Sequence, residues 1–331
     1  MSKRSRGRRR RAKPRSRSRA GILYAVVGVT AVAVLTAVLL NQSAPAGTAV
    51  SSSDGLSPSV QPSGGSGGTA SPKPSATATE PARKPTAKAT KAASVAGTDA
   101  LRDAVSRAAG ATSVAVTDLT TGRTLDYGGD GHGFACASIA KLDVLATLLL
   151  EDQDKGTELT AAEQALATKM IEHSDNAAAD SLYTTLGKAP GMDAANKRFG
   201  MTSTHSGEGI LWGVTTTTAA DQVTLLRQVF TSSSLLSAAS RTYIQGLLSQ
   251  VESDQRWGVS AAATSDDYEL KNGWLPRSTT GLWVVNSTGR VDRDGHQLLI
   301  SVLSDGNPTM DQGIDLIESV AKAAAEALLP G

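Results

Sequence analysis

Apolar residues recur along this chain with different periods, and each period marks a different kind of segment. Residues 21–40 form an uninterrupted apolar run without a single charge, long enough for a helix of about 20 residues to cross a bilayer. From 41 to about 98 no hydrophobic period survives, and Ser, Ala, Thr, Pro and Gly dominate. Beyond that point the chain reads as folded. The spacing predicts a helix over 99–109, an alternating strand over 112–119 and, after the Thr121-Gly122 turn, a second strand over 123–127. From Ser138 onward Ile139, Leu142, Leu145, Ala146, Leu148 and Leu149 return at intervals of three and four, the stripe of an amphipathic helix with Asp143 in its first turn. The pattern stays helical over 161–186, broken near residues 173–176, and again over 192–198, 217–230 and 235–251. Strands return at 268–271, 281–287 and 297–304, and a helix over 311–328 closes the chain.

Strands thus come from both ends of the folded part and helices from its middle. This order predicts an α/β (α+β) fold: one antiparallel sheet of about five strands, flanked by the N- and C-terminal helices, with an all-helical lobe inserted between the second and third strands. A cleft is expected between sheet and lobe, and the Ser138 helix starts where the chain leaves the sheet.

Charge refines the organisation. Residues 1–20 carry eleven Lys or Arg and no acid, while 101–331 carry 17 basic and 28 acidic residues, a net of 17 − 28 = −11 hidden inside the overall +2. An acidic folded part argues against nucleic acid as its ligand. A basic tail directly before an apolar span fixes the cytoplasmic side of a membrane segment. Four regions are therefore expected: a cytoplasmic tail over 1–20, a transmembrane signal anchor over 21–40, a disordered linker over 41–98, and an extracytoplasmic domain over 99–331. Cleavage near Ala44-Pro45-Ala46, giving a secreted protein, is the alternative; the span exceeds the roughly 7–15 apolar residues of a signal peptide. As a flexible coil the linker spans about 40 Å on average, which suits a domain held outside a membrane and working on the wall. The one cysteine, Cys136, allows no intrachain disulfide. His132, His173, His205 and His296 show no metal-ligand spacing, so neither metal nor cofactor is expected. A monomer is favoured.

The candidate chemistry starts with Ser138-Ile-Ala-Lys141. One helical turn separates the hydroxyl from the amine, so they share a face, and the free N–H groups of a first turn favour a developing anion. A nucleophile with a candidate base is one reading, an N-capping Ser with a surface Lys the other. Two further motifs bear on the choice: Ser174-Asp-Asn176 at the helical break, and Lys271-Asn-Gly273 on a predicted strand.

Together, in this order, the three motifs resemble the S-x-x-K, S-D-N and K-T-G set of the serine β-lactamase and penicillin-binding protein superfamily, and most of all class A β-lactamase-like serine hydrolases. The resemblance covers about 99–331. It implies that Ser138 is the acylated nucleophile and Lys141 its proton acceptor or relay, and that Ser174 passes a proton to the departing nitrogen. It further implies that Asn176 binds a substrate amide, that Lys271 attracts the substrate carboxylate and supports Ser174, and that the backbone N–H groups of Ser138 and Trp274 form the oxyanion hole.

The departures from the family pattern are as informative. Asn272 stands where a hydroxyl residue is usual, so one substrate hydrogen bond changes character, and Trp274 beside Gly273 is expected to narrow the cleft or give it an aromatic wall. The first two motifs are 174 − 138 = 36 residues apart, shorter than in class A enzymes, which implies a trimmed lobe. In the region 206–213, where such enzymes carry a water-activating Glu, Glu208 is the only acid and Trp212 falls at the usual Asn. Glu208 is the candidate deacylating base; without one, the enzyme acylates and stalls. Cys136 with His132 or His173 is a competing nucleophile, and Arg277 and Arg290 are candidate carboxylate partners. The expected substrate is a β-lactam or cell-wall peptide. The alternatives are a D-alanyl-D-alanine peptidase and a binding module without turnover.

Overall fold

A computed structural model describes residues 98–329. The expected tail, membrane segment and nearly all of the linker lie outside the described residues. Among the described ones no helix is long and apolar enough to cross a membrane.

The expected order of elements is present. Helix α1 (Thr98–Ser106) leads into β1 (Thr112–Asp118) and β2 (Thr124–Gly128). The helical lobe holds α2 (Ala140–Lys155), α3 (Ala161–Glu172), α4 (Asn176–Thr185), α5 (Lys188–Phe199), α6 (Ala219–Phe230) and α7 (Ala238–Ser249). Strands β5 (Tyr268–Pro276), β6 (Trp283–Arg293) and β7 (His296–Asn307) then complete the sheet before α8 (Met310–Leu328). The sheet is antiparallel throughout, in the order β2-β1-β7-β6-β5. Strands β5, β6 and β7 each run past their expected C-terminal ends; in β6 the added residues Thr288, Gly289, Arg290 and Val291 are all buried, so no alternation marks them. A short pair, β3 (Phe134–Ala135) with β4 (Thr216–Thr217), carries no readable period and was outside the sequence expectation.

Two apolar cores follow from this layering. One lies between the sheet and the α1/α8 layer, where Leu316, Ile317, Val320, Ala324 and Leu328 of α8 face Val114, Val116, Ile300 and Val302. The Ala-rich face of α8 and Gly313, whose added Cβ would lie 2.4 Å from Val285 Cγ2, allow close approach. The other core fills the lobe around α2. Every residue from Ala140 to Leu150 is buried there, so α2 is a central helix, and its Lys141 and Asp143 are enclosed polar groups. Burial pushes the Asp143 carboxyl up to about 7 although Asn196 and Thr147 donate to it.

Two local features position the site. The helix expected from Ser138 begins instead as a 3-10 turn, Ala137–Ile139, before α2 proper. The segment leading into it is clamped by Asn286, a polar residue inside β6: its amide donates to Ala135 O (2.8 Å) and Cys136 O (3.0 Å) while its carbonyl accepts from Ser304 N (3.2 Å). Asn286→Ala is expected to lower the unfolding free energy by about 2–3 kcal/mol, since it leaves buried partners unpaired. Urea denaturation checks this, and a loss under about 0.5 kcal/mol contradicts the clamp.

Candidate active site

Ser138 sits half-buried where three elements converge. Just before it, Ala137 is held at φ +49°, and Ser174 lies at φ +54°; these are two of five non-glycine residues with positive φ among the described residues. Backbone strain is thus present at one motif position and directly before another. Gly273 of β5 explains part of it: a Cβ there would lie 2.8 Å from Ser138 N and 2.7 Å from Cys136 O. Only glycine lets the strand backbone approach the head of the Ser138 turn so closely.

The helical break forms because Ser174 takes the left-handed conformation after α3, and Asp175, not Ser174, then caps α4 by accepting from Ala178 N (2.7 Å). That leaves the Ser174 hydroxyl free to face the cleft. Lys141 Nζ donates to Ser138 Oγ (3.0 Å), Ser174 O (2.6 Å), Ser174 Oγ (3.1 Å) and Asn176 Oδ1 (2.8 Å). From the other wall, Lys271 Nζ donates to the same Ser174 Oγ (3.0 Å) and to Asn272 O (3.2 Å). The structure therefore brings Ser138, Lys141, Ser174, Asn176, Lys271 and Gly273 together.

Both lysines are fully buried, and burial opposes their charge. Lys141 falls to about 7, with Asp175 and Asp180 resisting the fall. Lys271 is held well below its ordinary value, first by burial and then by the Lys141 charge. An ammonium has three protons and no lone pair; near neutral pH a substantial fraction of Lys141 is the free amine, which can accept a proton from Ser138.

Two expected substrate contacts are placed differently. Asn272 is fully buried on the opposite face of β5 from Lys271, as strand alternation requires. Its amide donates to Gln255 O (2.7 Å) and Trp257 O (3.0 Å), so it fastens the 253–262 segment and keeps its side chain from the cleft. Trp274 lies on that same side and leans on Trp257, ring centroids 5.9 Å apart.

Glu208 is exposed. The side chain of its loop that reaches the cluster is Trp212, whose ring centroid is 4.8 Å from Lys141 Nζ and whose Nε1 donates to Asp180 Oδ1 (2.7 Å). Sequence reasoning marked Trp212 only as a departure and missed Asn286 and Asp180. A polar residue inside an apolar strand was the available signal for Asn286.

The competing cysteine lacks its base. Cys136 is buried and its thiol is pushed well up by burial and by Asp143 and Asp221; His132 pairs with Asp305 (2.6 Å) and His173 with Glu252. Arg290 is bound to Asp267 and Glu269, and Arg277 is an exposed turn residue. Among the described residues no group of His, Cys, Asp or Glu is arranged to hold a metal.

A sheet with an inserted helical lobe and this cluster in between define a serine β-lactamase-like protein. Residues 149–328, more than half of the chain, match the sequence model of the Beta-lactamase enzyme family (Beta-lactamase2). The chain belongs to that family. Its solved neighbours share the fold: PBP-A (20% identity, 70% of this chain and 96% of that one, TM-score 0.60), and a beta-lactamase from Chitinophaga pinensis (17%, 69% and 97%, TM-score 0.60). A variant of the reconstructed ancestor of Gram-negative class A beta-lactamases is a third (24%, 69% and 96%, TM-score 0.57). PBP-A has also been solved as a mutant in an acyl-enzyme complex with penicillin G. Among curated proteins, LppW of Mycobacterium tuberculosis and Mycobacterium bovis, named as a lipoprotein, is 26% identical over 200 residues, 58% of this chain. The chain spans 63% of the length of those relatives.

The burial of Lys141 predicts a titration midpoint near 7, to be read by NMR of the lysine ε-methylene. A midpoint above about 9.5, close to an ordinary lysine, contradicts it.

Proposed function

We propose that this protein is an extracytoplasmic serine hydrolase of the β-lactamase type, acylated at Ser138 by β-lactams or a related cell-wall peptide amide. The observation that carries the reading is the shared cluster: Lys141 Nζ lies 3.0 Å from Ser138 Oγ and 3.1 Å from Ser174 Oγ, with Lys271 on the far side of Ser174. Free Lys141 amine takes the Ser138 proton as Oγ attacks the substrate carbonyl carbon. Negative charge on the carbonyl oxygen meets the backbone N–H groups of Ser138 and Trp274. When the C–N bond breaks, its electrons go to nitrogen, which takes the Ser174 proton; Lys141 returns a proton to Ser174. The products are an acyl ester on Ser138 and a free amine, still tethered to the acyl group in a β-lactam. Lys271 holds Ser174 in this relay, and Asn176, exposed and anchored through its carbonyl to Lys141, offers its amide N–H to substrate.

For localisation, the tail over 1–20, apolar span over 21–40 and linker over 41–98 support a single-pass anchor with the catalytic domain outside the membrane. A relative named as a lipoprotein accords with an extracytoplasmic, membrane-associated setting. Within this reading a D-alanyl-D-alanine peptidase is the second candidate, favoured by the wall-reaching linker; digestion of peptidoglycan pentapeptide followed by mass spectrometry distinguishes it.

A fluorescent penicillin is expected to label the full-length protein, with labelling abolished in Ser138→Ala. Lys141→Ala is expected to slow labelling by about 100-fold or more, the usual contribution of a positioned base. Equal labelling of the Ser138→Ala variant contradicts the assignment.

A further inference from the structure

Release of an acyl group from Ser138 to water needs two things on the loop side of the site: room for a water against the ester, and a group to take its proton. The space against Lys141 on that side is filled. Trp212 is only 8% exposed, and its indole covers Lys141 Nζ with its centroid 4.8 Å away. The other sides of that amine are taken by Ser138, Ser174 and Asn176.

The two carboxylates whose charge acts on Lys141 are Asp175 and Asp180, and each is already hydrogen-bonded within the lobe. Asp180 accepts the indole N–H through Oδ1 (2.7 Å) and Asp175 is engaged at the start of α4. Glu208 is exposed on the loop. The indole sits on a loop tied at several points. Its 3-10 turn is closed by Val214 N to Leu211 O (3.0 Å) and Thr215 N to Trp212 O (3.1 Å). The loop base is pinned by Tyr183 Oη to Gly207 O (3.1 Å) and by Gly207 N to Thr215 Oγ1 (3.1 Å). A Cβ on Gly207 would lie 2.0 Å from Leu211 O, so the turn is packed closely on itself.

From this packing we infer that Trp212 is a sealing residue: it occupies the place of the hydrolytic water beside Lys141, so that the Ser138 acyl ester persists and the protein acts as a long-lived penicillin binder, not as a β-lactamase. The inference rests on acylation at Ser138. Trp212 lies against Lys141 and offers no proton-accepting group to the ester, so its removal acts on the lifetime of the ester. Removing it also admits water to Lys141, which relieves the burial that disfavours the ammonium and moves the pH dependence of acylation upward. A residue that served only to hold the loop would change neither selectively.

The test is intact-mass spectrometry of the penicillin-treated full-length protein after free drug is removed. The wild-type adduct is expected to last hours. Trp212→Phe keeps the aromatic cover and the long lifetime. Trp212→Glu puts a carboxylate beside Lys141 and shortens the lifetime by about 100-fold or more, the scale of a general base. Glu208→Ala leaves it unchanged. An adduct that forms on the wild type and clears within seconds overturns the inference and leaves acylation standing, as does a lifetime that Glu208→Ala lengthens. Equal lifetimes for Trp212→Glu, confirmed folded by its thermal transition, and Trp212→Phe also overturn it. Absence of any adduct on the wild type overturns the acylation reading and this inference with it.

Discussion

Two lysine amines, buried from solvent and aimed at one serine hydroxyl, are the constraint on which the rest of this structure turns. Each ammonium so placed loses its hydration, and the two repel. The fall of Lys141 from 10.5 to about 7 corresponds to on the order of 5 kcal/mol in favour of the neutral amine. Between those values the unfolded chain binds a proton that the folded chain does not, so this group adds stability as pH rises from about 7 toward 10.5; its cost is fully present below 7. A fold carries such a cost where packing elsewhere over-determines the site. Here the buried α2 helix fixes Lys141 and the paired edge strand β5 fixes Lys271.

The same over-determination explains the close contacts around Ser138. Gly273 and Asn286 are directly paired across β5 and β6. One admits the Ser138 turn by having no side chain, and the other holds the preceding carbonyls by having one. Ala137 accepts an unfavourable φ between them. Behind the strand, Asn272 is committed to Gln255 and Trp257, and Gly258, at φ +87°, turns the chain where a Cβ would lie 2.3 Å from Ser287 Oγ. The cleft therefore has rigid walls, and the family's hydroxyl in the third motif has been exchanged for a residue that braces one of them.

Most of the architecture was legible in the chain. Strands and helices announced themselves through periods of two and of three to four, and the order of elements left one economical layering. The six residues of the motif set were legible because each occupies a place the periodicity makes special: the head of a helix, a helical break, a strand beside a turn. What was not legible depends on which way a side chain points across a tertiary contact. Nothing in 206–213 says that Trp212 turns inward onto Lys141 while Glu208 faces solvent, and a polar Asn286 in an apolar strand signals a role without naming its partners. The β3/β4 pair was invisible because two residues cannot display a period.

In the proposed acylation, burial holds Lys141 as the free amine that takes the proton of Ser138. The rate of penicillin acylation measured against pH reads this ionisation. That rate is expected to rise with a single ionisation near 7 and then level. A rate that is flat from about pH 5 to 9, or that rises only toward the range of an ordinary lysine at about 10.4, contradicts it.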